Sequence, residues 1–147
     1  MIKFLVTIAI GFFCLGIQAQ QTPEDMIKTF FKEYETNPGQ AVDNIYNTNS
    51  WNSRIGDGIA KIKSSIEALT PGYVGKCYGH ELILKKEVSN FLSLYSYAVK
   101  YDREPIRFTF LFYKANDKCV LYSFKYDTDI DDELETSAKL NYTNIIH

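Results

Sequence analysis

The spacing of hydrophobic residues changes twice along this chain. An almost unbroken apolar run from Phe4 to Ile17 gives way to residues three and four apart, and from Tyr73 onward to residues two apart. Met26, Ile27, Phe30, Phe31 and Tyr34 recur at helical spacing and form one apolar face. Thr22 can cap that helix and Pro23 suits its first position. Glu24 and Asp25 complement the positive end of its dipole. Asn37-Pro38-Gly39 is a stop. A short second helix is expected over 40–46, with Val42, Ile45 and Tyr46 inward, followed by a polar connector over 47–52 around Trp51. Ile55, Ile59, Ile62, Ile66 and Leu69 alternate steps of four and three, which predicts a third helix over 53–69 packed against a sheet. Gly56 and Gly58 weaken its first turn, and Pro71-Gly72 ends it.

Four β-rich segments follow, at 78–86, 91–101, 106–114 and 119–127. The joints are short enough for antiparallel hairpins, so an α+β fold with a four-stranded meander is predicted. A last short helix is expected over 131–140, with a frayed tail over 141–147. If Arg103-Glu104 is a two-residue turn, Tyr101 faces Ile106, Val99 faces Phe108, Tyr97 faces Phe110 and Tyr95 faces Phe112, which builds one aromatic face. Lys100, Ala98, Ser96 and Leu94 then lie opposite Arg107, Thr109, Leu111 and Tyr113 on the other face. A second two-residue turn at Asn116-Asp117 adds Val120, Tyr122, Phe124 and Tyr126 to that other face. A slip of one residue, or a bulge, exchanges these assignments. Helices can cover only one face, so the other is expected to meet a partner such as a second copy of the chain.

The first apolar run, after Lys3 and before Gln18-Ala19-Gln20, has the layout of a signal peptide over 1–19. This predicts export to the periplasm or beyond and a single domain over 20–140. Two alternatives are weaker. The run is short for a membrane span, which needs roughly 20 apolar residues. Cys14 as a lipid-bearing cysteine would follow the bulky Phe13. No stable membrane insertion is expected once the signal is removed. The chain of 147 residues has a formal net charge of −2, so it offers no basic excess for nucleic acid. Export permits a Cys77–Cys119 bridge, but a meander puts the two near opposite ends of the sheet, beyond the roughly 7 Å between Cα atoms that a disulfide spans.

The sequence 97–110 (Tyr97-Ala98-Val99-Lys100-Tyr101-Asp102-Arg103-Glu104-Pro105-Ile106-Arg107-Phe108-Thr109-Phe110), then Phe112-Tyr113-Lys114, resembles small secreted bacterial proteins of the NTF2-like superfamily. So do Asn49-Ser50-Trp51 and the segment 122–127 with Glu133-Leu134. The resemblance departs at Cys119, where tryptophan is expected. It implies three N-terminal helices packed on a strongly curved meander, a cone, and supports a fold better than an activity. Relatives in that fold include ketosteroid isomerases and SnoaL-like cyclases, ligand binders and dimeric adaptors. The resemblance therefore implies a site between the helices and the concave face, lined by Tyr95, Tyr97, Phe108 and Phe110 with Trp51 at its mouth, for a small hydrophobic ligand. The competing reading is that these aromatics simply fill the cone. Lys100, Arg107 and Tyr113 mark the expected interface of a homodimer or partner complex. The competing reading there is a turn whose ions pair across the hairpin.

Catalytic chemistry finds little support in the residues. Of the two histidines, His147 is terminal and His80 opens a strand, with Glu81 pointing to the opposite face. No Asp or Glu interrupts the aromatic strands to act as an isomerase base. There is no G-x-S-x-G elbow, no second histidine to complete a zinc-protease motif after His80-Glu81, and no phosphate loop. The acids Asp127, Asp129, Asp131, Asp132, Glu133 and Glu135 begin like a calcium loop but lack its glycine and its closing glutamate, and an acidic helix start explains them. No metal or cofactor is expected.

Overall fold

The computed structural model describes residues 21–145, so the expected signal peptide lies outside the described residues. The chain is α+β, with helices preceding and following a four-stranded antiparallel sheet in the order β1-β2-β3-β4. Helix α1 spans Pro23–Tyr34 and α2 spans Pro38–Tyr46. A 3₁₀ turn at Asn52–Ile55 leads into α3 at Gly56–Glu67, and α4 is one turn at Pro71–Val74. Strands β1 (Cys77–Val88), β2 (Leu92–Tyr101), β3 (Pro105–Lys114) and β4 (Cys119–Asp127) follow, then α5 (Ile130–Ile145).

Local chemistry sets the helix starts. Thr22 and Asp25 form a reciprocal capping box on α1, and Pro23 occupies its first turn. Asn37-Pro38 ends one helix and begins the next. The Asn37 side chain accepts from the Gln40 N–H at 3.0 Å, so α2 starts at Pro38. The isoleucine stripe of α3 runs along α2 and joins the core: Ile66 is fully buried in it, and Ile59, Ile62 and Leu69 pack against it half-buried. At the C-terminal end α5 continues to Ile145, past the expected end at Leu140.

The core lies between α1 and one sheet face. Phe30 and Phe31 meet Phe108 and Phe110, and Phe124 stacks on Phe110 at 4.9 Å between centroids. Two departures from the expected register explain how that face is assembled. Between β2 and β3 the pairing closes at Lys100–Pro105, with Val99 opposite Ile106 and Tyr97 opposite Phe108. The joint is therefore four residues, not two. The shift is even, so every side chain keeps its expected face. Between β3 and β4 a bulge falls at Tyr122: Phe112 pairs with Leu121, but Leu111 pairs with Ser123. Beyond it Phe124 and Tyr126 turn onto the helix-covered face, contrary to the unbulged expectation. The cause lies across the free edge of β4. Leu121 is gripped there by the Thr48 and Asn49 side chains at 3.0 Å, and Phe124 by the Tyr46 hydroxyl.

Candidate functional site

The chain 102–104 between β2 and β3 does more than turn. The Asp102 carboxylate accepts the Lys76 N–H at 2.5 Å and the Tyr78 hydroxyl at 2.7 Å, while its own N–H donates to the Lys76 carbonyl. Arg103 donates to the Tyr73 carbonyl at 3.3 Å and lies over the Tyr73 ring. Gly75 makes this approach possible. Its φ is +83°, and a β-carbon there would overlap the Asp102 side chain. The turn before β1 is thus clasped to the turn after β2.

This clasp forms one wall of a cleft of about 530 Å³, a volume suited to a small organic ligand. Phe31, Tyr34 and Glu35 line it from the end of α1, and Leu69 and Pro71 from the α3–α4 link. Cys77, Tyr78 and His80 contribute from β1, and Val99 and Tyr101 from β2. The Tyr34 and Tyr101 hydroxyls lie 2.6 Å apart. Burial, then the bond to Tyr101, pushes the Tyr34 phenol far above its ordinary range, and burial raises Tyr101 as well. Both stay protonated at any physiological pH. One hydrogen joins the pair and the other is free to donate to a guest. His80 stacks flat on Phe31 with centroids 3.6 Å apart. Burial against that ring lowers its pKa, opposed by Glu35 and Glu81, so the imidazole is neutral at pH 7.

The expected ligand residues are dispersed. Phe108 and Phe110 are 0% exposed and packed by other rings, so they are core. Tyr97 meets Phe31 and His80 beside a shallow recess next to the cleft. Tyr95 donates to Glu24 at 2.7 Å, and Lys85 pairs with Glu24 at 2.9 Å, beside a second cleft of about 380 Å³ lined by Lys114 and Cys119. Trp51 is 65% exposed, stacked under Arg54, and lines none of these clefts. Cys77 and Cys119 are free thiols on different clefts.

The expected interface residues divide as well. Lys100 pairs with Glu81 of β1 at 3.0 Å. Arg107 binds Asp127 at 2.8 Å and Glu133 at 2.9 Å, and Glu133 also accepts from the buried Ser96 hydroxyl. Arg107 therefore seats α5 on the sheet face away from α1. Lys100 and Tyr113 stay exposed, and the Tyr113 ring lies against Phe91 and Tyr122.

Sequence reasoning set His80 aside and treated Tyr34 as a packing residue, because nothing local links them to residues in β2. Strand alternation alone does place Tyr101 on the correct face. Compared with known proteins, the chain matches no family model, no curated protein and no solved structure.

Proposed function

We propose that this chain is an exported, non-enzymatic binding domain of the NTF2-like type, holding a small, largely apolar ligand in the cleft between α1 and the start of β1. The observation that carries this reading is the cleft lining: apolar walls from Phe31, Leu69 and Val99 with a few convergent polar groups, the paired hydroxyls of Tyr34 and Tyr101 and the neutral His80. Binding is favoured over catalysis because the one carboxylate in the lining, Glu35, belongs to an exposed residue, and His80 is held against Phe31. The NTF2-like assignment rests on the resemblance around 97–114 and on an α+β meander with helices before it.

The test is titration of the purified protein with benzyl alcohol, followed by amide chemical shifts. Saturable changes are expected at Gly75, Gly79 and His80, and Leu69→Trp, which fills the cleft, should abolish them. Shifts scattered over the surface, or unaffected by Leu69→Trp, would overturn the reading. Homodimerisation is the second part of the proposal. It is favoured by Leu84, Val88, Phe91, Tyr113 and Tyr122, all exposed in or beside the strands. Sedimentation of wild type against Tyr113→Glu tests it, with a dimer expected only for the former. Export predicts a mature N-terminus at Gln20, read by mass spectrometry of the processed protein.

A further inference from the structure

Resting on that ligand-binding reading, we infer that the cleft selects an organic cation: a small ammonium carried on an apolar body. Four observations converge. Five of the thirteen lining residues present an aromatic ring or imidazole: Phe31, Tyr34, Tyr78, His80 and Tyr101. Phenyl and phenol faces attract a desolvated cation through their quadrupoles; one face of Phe31 is already stacked on His80. No lysine or arginine lines the cleft, and Glu35 is its only carboxylate. Glu35 forms no ion pair or side-chain hydrogen bond among the described residues; its electrostatic neighbour is His80. Glu35 is also the C-cap of α1. A carboxylate there adds to the negative end of the helix dipole, where a cation is the stabilising choice. The helix end and Glu35 thus present negative potential to the same opening.

Two cations near the cleft are already engaged. Lys76 folds over the Tyr78 ring at 5.3 Å, so one ring at the rim already carries an ammonium, and Lys100 is paired with Glu81. Lys28 and Lys32 of α1 line the neighbouring recess, which Glu35 and His80 border as well. The apolar body would lie along Leu69 and Val99, with the charged head toward Glu35. The hydroxyl pair of Tyr34 and Tyr101 would offer one hydrogen bond to a polar substituent on that body.

The experiment compares three probes of one shape by amide-shift titration: benzyltrimethylammonium, benzyl alcohol and benzoate. The cation should bind about tenfold more tightly than the alcohol, and benzoate should be weakest. Glu35→Gln, a change at an exposed position, should remove most of the cation's advantage over benzyl alcohol. Equal binding of the three probes, tightest binding of benzoate, or an unaltered preference in Glu35→Gln would overturn the cation inference alone. Failure of benzyl alcohol and the cation together to shift Gly75, Gly79 and His80 would bring down the ligand-binding reading with it.

Discussion

Truncation of Phe124 and of the nearby Tyr122 should have opposite consequences, and the contrast tests the bulge on which the core depends. Without the bulge the two side chains would share one face, and removing either would cost about the same. With it, Phe124 is 1% exposed and Tyr122 is 60% exposed. The Phe124 ring meets Phe110 at 4.9 Å, Phe30 at 5.3 Å and Phe108 at 5.3 Å. Such aromatic pairs contribute about 0.5–1.5 kcal/mol each beyond buried area. Three of them place Phe124→Ala in the upper part of the range for a buried phenylalanine, about 4 kcal/mol. That approaches the whole stability of a small domain, so Phe124→Leu, at about 1–1.5 kcal/mol, is the more measurable variant. Tyr122→Ala should stay within about 0.5 kcal/mol of wild type. Urea unfolding followed by far-UV circular dichroism gives each value from the midpoint at constant slope. Equal costs for Phe124→Leu and Tyr122→Ala, or a larger cost for Tyr122→Ala, would refute the bulge and the face assignment built on it.

Glu133→Ala should loosen α5 by about 2 kcal/mol, because it leaves the Ser96 hydroxyl without its acceptor and takes one of two carboxylates from Arg107, whose side chain is 19% exposed. Hydrogen exchange in α5 reads this directly, and Glu133→Gln should recover part of the loss. A double-mutant cycle with Tyr34→Phe and Tyr101→Phe should return a coupling of about 1 kcal/mol for the 2.6 Å hydroxyl pair; a value near zero would mean that water replaces it without loss. Acidification should destabilise the protein through His80. Its folded pKa is lowered, so below the ordinary histidine range the unfolded chain binds more protons and stability falls with pH until the folded value is passed. The melting temperature of wild type should therefore decline more steeply between neutral and mildly acidic pH than that of His80→Gln, and parallel curves would contradict it.

Most of the local architecture is legible in the residues. The capping box at Thr22 and Asp25, the period of Met26 to Tyr34 and the alternation in each strand all act over a few positions, and the observed elements follow them. Even the aromatic face survives an error in the turn between β2 and β3, since a shift of two residues preserves alternation. The errors arise where a distant partner intervenes. Asp102 leaves its hairpin to bind Lys76 and Tyr78, which opens the turn to four residues. Thr48, Asn49 and Tyr46 hold the edge of β4 at Leu121 and Phe124, on either side of the bulged Tyr122.

What the sequence determined by itself is the α+β order of elements, the antiparallel meander and the identity of most core aromatics. These follow from hydrophobic period and short joints, which are local properties. Only the tertiary structure decided that Phe108 and Phe110 are filled core while the cleft lies at one end, among Tyr34, Glu35, His80 and Tyr101. A cleft is the space left between packed elements, and its walls come from side chains that meet only after the chain folds. Tyr34 and Tyr101 share a hydrogen bond across 67 positions, a proximity that no local pattern encodes.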